Sequence, residues 1–108
     1  MEVNDKNFDI LFSKYNKYVI LIDFWASWCR PCKLLSPIID YIEKKYKKQL
    51  YVFKINIDNN TLLSEKFNIQ SIPTLIFFLN GIEKERHIGS ISKENLEKKI
   101  KNYFFNKK

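Results

Sequence analysis

Residues 28–32 read Trp28-Cys29-Arg30-Pro31-Cys32 and place the chain's two cysteines three positions apart, directly after a strand-like run. In the first turn of a helix, side chains three residues apart have Cβ atoms about 5–6 Å from each other. A disulfide needs a separation of about 3.5–4.5 Å, so a small adjustment closes the bond and a small relaxation opens it. Because so short a ring cannot staple a fold, we interpret the pair as a reaction centre that cycles between dithiol and disulfide.

The predicted helix start would activate the first cysteine. Cys29 is placed at or just before the first turn, where unpaired N–H groups and the positive end of the helix dipole stabilise an anion. Its thiolate is therefore the expected nucleophile, with Cys32, one turn deeper, as the better protected resolving thiol. Pro31 suits a first turn because its missing N–H would have no partner there. Arg30 adds a cation that should stabilise the thiolate and make the pair more oxidising.

Other uses of a cysteine pair fit fewer of these features. Structural zinc needs four ligands, and two cysteines with one distant His87 complete that set only if a second copy shares the ion. Haem attachment needs histidine directly after the second cysteine, where this chain has Lys33. A purely structural disulfide, or two inert buried thiols, stays open. The strand before the pair and the helix after it favour redox chemistry, with no metal.

Length and composition limit the class of protein. A chain of 108 residues, 45% of them apolar, predicts one domain over residues 1–108 with a single core. No basic segment followed by an apolar stretch opens the sequence, and no apolar run is long enough to span a bilayer. With one cysteine pair at redox spacing, these features predict a reducing compartment, the cytoplasm. A transit peptide removed from a longer precursor would leave an organelle open.

The formal net charge is +7, carried mostly by lysine. A nucleic-acid or anionic-membrane surface is one interpretation of this charge. Solvated helix faces explain the lysines with fewer assumptions, so we expect neither nucleic acid nor membrane as a partner. A milder consequence is steering toward acidic partner proteins.

The spacing of apolar residues predicts four helices and four strands. In chain order these are a helix over 7–15, a strand over 18–25, a helix over 32–46, a strand over 51–57, a helix from Asn60 to Phe67, strands over 74–79 and 82–88, and a helix after Ser92. Asn60 and Ser92 are the expected N-caps. Asn68 is a left-handed terminator, and Asn80-Gly81 indicates a hairpin. The order favours an α/β fold with a central mixed sheet and helices on both faces.

Residues 23–33 resemble the active-site segment of the thioredoxin family, with Arg30 where glycine usually sits. Further matches follow in order along essentially the whole chain: Lys54-Ile55-Asn56-Ile57-Asp58, Ile72-Pro73-Thr74, Asn80-Gly81 and Gly89. The resemblance implies the thioredoxin fold and protein-disulfide reductase activity through Cys29 and Cys32.

The resemblance also implies roles for residues near the cysteines. Asp23 would exchange a proton with Cys32, and its apolar strand should raise its pKa; a solvated strand edge is the alternative. Lys54 would be the cation that tunes this exchange, unless it is an ordinary exposed strand lysine. Pro73 would be cis and face the cysteines, although trans is the default for a turn proline.

A substrate surface is implied next to Pro73. The backbone of Ile72 would pair with an extended substrate segment, as in strand addition. An apolar rim would surround the cleft, formed by Trp28, Ile57, Ile88 and Gly89. Trp25, by contrast, is expected to serve packing.

Partners follow from the same resemblance. No bound cofactor is expected, and electrons would come from NADPH through a separate flavoenzyme, thioredoxin reductase. Expected substrates are disulfide-containing proteins such as ribonucleotide reductase, peroxiredoxin or methionine sulfoxide reductase, and we expect a monomer. Arg30 keeps an oxidase or isomerase of the same fold open, and a redox-regulated binding subunit without catalysis is the alternative from another class.

Overall fold

A computed structural model describes residues 1–105 as four helices and four strands around one sheet. Their order is α1 (Phe8–Tyr15), β1 (Val19–Trp25), α2 (Arg30–Lys45), β2 (Leu50–Asn56), α3 (Thr61–Lys66), β3 (Thr74–Leu79), β4 (Ile82–Ile88) and α4 (Lys93–Phe105). The predicted types and order are confirmed. No helix within residues 1–105 is long and apolar enough to cross a membrane.

The sheet is mixed, with strand order β2-β1-β3-β4. β1 runs parallel to β2 and antiparallel to β3, which pairs antiparallel with β4. Alternate residues of β1 face opposite sides: Leu21 packs in a cluster with residues of α2 and α4, and Ile22 in one with residues of α1 and α3. Helices therefore cover both faces, as predicted, and Asp23 lies on the same side as Leu21.

Four of the predicted turn and cap residues are confirmed. Asn80 and Gly81 both have positive φ, 53° and 78°, as a tight hairpin of this twist requires. Asn68, the residue after the C-cap of α3, has a left-handed φ of 54° and ends the helix as predicted. The Ser92 hydroxyl accepts a hydrogen bond from the Asn95 N–H at 3.1 Å and so caps α4.

The predicted side-chain cap of α3 by Asn60 is wrong. Asn60 holds the N-cap position, but its side chain accepts from the Asp5 N–H and donates to the Asn56 carbonyl. The Asp5 carboxylate caps the helix instead, accepting from the N–H groups of Leu62 at 3.3 Å and Leu63 at 3.0 Å. The two capping bonds join residues 57 and 58 positions apart in sequence, so no local pattern indicates them.

An Asp5→Ala variant should lose about 1 kcal/mol of unfolding free energy, because two N–H groups at the start of α3 lose their acceptor. Asp5→Asn keeps one acceptor oxygen and should lose less than half of that. Urea unfolding of the three proteins measures both differences. Equal stability of Asp5→Ala and the unmodified chain would contradict this assignment of the cap.

The sequence pattern does not reveal that residues 1–3 run alongside β2. The Val3 N–H donates to the Lys54 carbonyl and the Lys54 N–H donates to the Met1 carbonyl, both at 2.8 Å. Glu2 thereby forms a parallel bridge with Lys54. Three residues are too few to show the alternation of side chains that indicates a strand. They nevertheless place the Glu2 carboxylate beside the candidate site.

Candidate active site

The two cysteines lie at the start of α2, just after β1. Cys29 is the N-cap residue, and a disulfide joins it to Cys32 with the Cα atoms 5.3 Å apart. The Cys32 N–H donates to the Cys29 sulfur at 3.2 Å. The predicted position at the helix start is confirmed. The same N–H and the helix dipole are placed to stabilise a Cys29 thiolate once the bond is reduced.

The expected difference in protection between the cysteines is wrong for this disulfide state. Cys29 is 4% exposed and Cys32 is 5% exposed. Both pack in one small cluster, which also contains Ala26, Trp25, Ile57 and Ile72. Ile57 and Ile72, which come from loops later in the chain, pack against this cluster and cover Cys29 as well as Cys32.

Arg30 and Pro31 occupy the exposed outer side of the first turn. Pro31 sits at one of the first two helical positions, as predicted, where no N–H is needed. Arg30 is exposed to solvent. A permanent positive charge therefore lies next to the disulfide and at the surface.

An apolar depression of about 300 Å³ adjoins the disulfide. It is lined by Trp28, Ile57, Ile72, Ile69, Gln70 and Ser71. Trp28 is 66% exposed, and its indole N–H donates to an Asp58 carboxylate oxygen at 2.9 Å. This bond fixes a large apolar surface at the mouth of the site. No role was predicted for Asp58; its place two residues after the end of β2 is the signal that could have indicated one.

The loop that faces the cysteine cluster contains Pro73. The Ile72–Pro73 peptide bond is cis, as predicted. The Pro73 carbonyl accepts from the Gly89 N–H at 2.8 Å, and Gly89 has φ 97°, a left-handed conformation that favours glycine. Ile88 is an exposed residue beside it. The structure thus brings Trp28, Ile57 and Ile72 together, and joins Ile88 and Gly89 to them through Pro73.

A second cavity, of about 280 Å³, lies behind the disulfide. Its walls are formed by Glu2, Asp23, Trp25, Ala26, Ser27, Cys32, Lys33, Ser36 and Lys54. Asp23 is 5% exposed, and its Oδ1 atom has no hydrogen-bond partner among the described residues. Several polar side chains line the cavity, and a space of this size can hold water; both the aspartate and the second cysteine are part of its wall.

Burial is the main cause of an unusual Asp23 ionisation. It raises the Asp23 pKa to about 7; Lys54 opposes this rise, whereas the charges of Glu2 and Asp40 add to it. The predicted direction is confirmed, and a solvated strand edge is excluded. Lys54 is 17% exposed and bonds Asp40 at 2.7 Å, so it is neither an ordinary exposed lysine nor a direct partner of Asp23.

The remaining candidates serve packing or local structure. Trp25 is half-buried against the cysteine cluster, and its buried indole N–H has no partner within residues 1–105. The His87 Nε2 atom lies 2.9 Å from the Ser90 carbonyl oxygen. Over that same part of the chain, no group of three or more His, Cys, Asp or Glu side chains could hold a metal ion.

The geometry described above is that of a redox-type cysteine pair on a mixed α/β sheet, and comparisons with known proteins agree. The sequence profile of the thioredoxin family matches residues 1–102. The chain belongs to the thioredoxin family.

Several relatives are similar over most of the chain. A thioredoxin of Rickettsia bellii is 41% identical over 100 residues, which cover 93% of this chain and 94% of the relative. An M-type chloroplastic thioredoxin of Spinacia oleracea is 40% identical over 94% of this chain, and one of Pisum sativum is 40% identical as well. The chain spans 56% and 58% of the length of these two plant proteins.

A comparison with solved structures also finds a thioredoxin. A single-site mutant of a thioredoxin from Halobacterium salinarum superimposes with a TM-score of 0.84 at 28% identity, covering 95% of this chain and 88% of that one. The predicted thioredoxin fold is confirmed.

Proposed function

We propose that this protein is a thiol–disulfide oxidoreductase of the thioredoxin type, acting as a single domain that reduces disulfide bonds in other proteins. The observation that carries the proposal is the Cys29–Cys32 disulfide at the N-terminus of α2, with the Cys32 N–H donated to the Cys29 sulfur. A helix start stabilises the thiolate that attacks, and thiolate character controls the rate of exchange.

The first step is attack on the target. The Cys29 thiolate attacks one sulfur of the target disulfide, so that a Cys29–target bond forms and the target's own S–S bond breaks. The second target sulfur leaves as a thiolate and takes a proton from water. Trp28, Ile57, Ile72, Ile88 and Gly89 would hold the target, and the Ile72 backbone would pair with its extended segment.

The second step releases the product. The Cys32 thiol gives its proton to the Asp23 carboxylate across the cavity that both line. The Cys32 thiolate then attacks the Cys29 sulfur, closing the Cys29–Cys32 bond and expelling the target sulfur that was bound to Cys29 as a thiolate. The target gains two electrons and this protein loses two. A base with a pKa of about 7 suits this transfer near neutral pH, and Lys54 would tune it.

Electrons must then be restored by another protein. The family suggests a separate thioredoxin reductase that draws on NADPH, with no cofactor bound to this chain. Ribonucleotide reductase, peroxiredoxin and methionine sulfoxide reductase are the substrate proteins we propose on the same ground. We propose a monomer without nucleic-acid or membrane partners, whose positive charge steers it toward acidic proteins.

For the compartment we propose the cytoplasm, where thiols are kept reduced. The relative from Rickettsia bellii is named as a thioredoxin, and the two plant relatives are named as chloroplastic. A plastid is therefore the alternative, and localisation of a tagged full-length protein decides between the two.

The reduction potential of the Cys29–Cys32 couple tests the function. A value near about −270 mV, with turnover of a protein disulfide when the couple is recharged, supports a reductase. A value between about −180 and −120 mV places the protein with isomerases and oxidants. Unchanged partner binding after both cysteines are replaced by serine, without turnover in the unmodified protein, would favour a non-catalytic binding subunit.

An Arg30→Gly variant should have a more negative potential, by about 10–20 mV. The reason is that one exposed charge contributes up to about 1 kcal/mol, and about 1.4 kcal/mol corresponds to 30 mV for this two-electron couple. Arg30→Lys keeps the charge and should match the unmodified protein. Equilibration with glutathione buffers measures all three, and an unchanged potential in Arg30→Gly would remove Arg30 from the tuning residues.

A further inference from the structure

We propose that Glu2 is a positioning residue for the proton transfer between Asp23 and Cys32: it stands in one register row with Lys54 and Asp23 and lines the cavity that Asp23 and Cys32 share, where its negative charge acts on Asp23. This inference rests on the proposed function above. It concerns a residue outside every motif of the sequence, brought to the site by the segment that runs beside β2.

The backbone places the three charged residues in one row. Asp23 of β1 is the register partner of Lys54 of β2, and Lys54 is in turn bridged to Glu2. Neighbouring residues at one register position of a sheet share a face. All three line the cavity of about 280 Å³ that also contains Cys32. Glu2 is therefore part of the wall of the cavity across which the proton would be transferred.

The bonding pattern leaves the charge of Glu2 free to act. Lys54 is the middle residue of the row, and its ammonium bonds the Asp40 carboxylate of α2 at 2.7 Å. The terminal ammonium of Met1 bonds Glu43 at 2.9 Å. No ion pair within residues 1–105 involves Glu2 or Asp23. Burial raises the pKa of Glu2, and Lys54 and the terminal ammonium act on it only as nearby charges that lower this pKa. Two carboxyl groups therefore line one cavity without an ion pair to either.

The charged groups around Asp23 come from three elements. α2 contributes Asp40 and Lys33, β2 contributes Lys54, and the N-terminal segment contributes Glu2. Like charges in one site disfavour a second ionisation, so Glu2 acts in the same direction as burial. In agreement, Glu2 raises the Asp23 pKa while Lys54 lowers it.

A graded set of charges at position 2 tests the proposal. The titration of the Asp23 carboxyl carbon is followed by NMR in the oxidised protein, where the cysteines do not titrate. Glu2→Gln should lower the midpoint by about half a pH unit, and Glu2→Lys should lower it about twice as far because the charge changes by two. The pH profile for release of a coloured thiol from its mixed disulfide with Cys29 should move in the same direction.

The control is Glu65→Gln, which removes one negative charge from the exposed side of α3 and should leave the midpoint unchanged. An unchanged midpoint in Glu2→Gln, equal shifts in Glu2→Gln and Glu2→Lys, or the same shift in Glu65→Gln would overturn the proposal. The NMR midpoint is measured without turnover. A failure of this proposal can therefore be distinguished from a failure of the proposed function. The proposed function would be overturned if the unmodified protein did not reduce a protein disulfide.

Discussion

A Cys29→Ser variant is expected to reduce protein disulfides no faster than the uncatalysed background, and a Cys32→Ser variant to stop after one covalent capture. Serine at position 29 removes the nucleophile at the helix start. Serine at position 32 leaves that nucleophile intact but removes the thiol that expels the product. Insulin reduction with a recharging dithiol measures turnover, and mass spectrometry measures the trapped mixed disulfide.

The two variants serve as controls for each other, because both lose the disulfide and only one keeps the attacking sulfur. Cys32→Ser should form one adduct per chain with a disulfide-containing protein, and Cys29→Ser should form none. Sustained turnover by either variant, or an adduct on Cys32, would contradict the assignment of roles.

An Asp23→Asn variant is expected to be more stable than the unmodified oxidised protein by about 4 kcal/mol at pH 8. The Asp23 carboxyl titrates at about 7 in the folded chain against an ordinary value of 3.8. One pKa unit corresponds to about 1.4 kcal/mol. The folded state therefore opposes ionisation of this carboxyl, and replacing it by a neutral amide of similar shape removes that cost.

The sign of the effect defines its pH window. Since the folded pKa lies above the unfolded one, the unfolded state releases the proton first, and the unmodified protein loses stability as pH rises from about 4 to about 7. Above that range the loss is constant. The gain of Asp23→Asn should therefore vanish near pH 3.5, grow through this window and level off near pH 8. Urea unfolding of the oxidised proteins at these pH values measures it.

Asp9→Asn, at an exposed position of α1, is the matched control and should change stability by less than about 0.5 kcal/mol. A gain in Asp23→Asn that is equal at pH 4 and pH 8 would contradict the electrostatic explanation, because ionisation would not be its source.

The sequence predicts the elements and the cysteine site well because both depend on local patterns. Continuous apolar runs indicate the buried strands β1 and β3, and the spacing of Cys29 and Cys32 after a strand places the pair at a helix start. Asn80-Gly81 and Ser92 act within a few residues of their own position. Signals of this kind need no knowledge of which segments meet in space.

What could not be predicted depends on contacts between distant segments. The Asp5 cap of α3, the row formed by Glu2 and Lys54, and the bond between Trp28 and Asp58 each join residues far apart in the chain. Equal burial of the two cysteines likewise depends on Ile57 and Ile72, which come from later loops. The periodicity of apolar residues within one segment carries no information about contacts with segments distant in sequence.

The pairing of residues 1–3 with β2 also affects how copies of the protein meet one another. An uncovered strand edge is a template on which a second chain can add a strand and start aggregation. On one side of this sheet, residues 1–3 cover the middle of that edge by hydrogen bonds to Val52 and Lys54. On the other, β4 presents Glu83, Lys84, Glu85 and Arg86, charges that oppose such addition. Together with like-charge repulsion between chains of net charge +7, these edges should keep concentrated solutions free of sheet-to-sheet association.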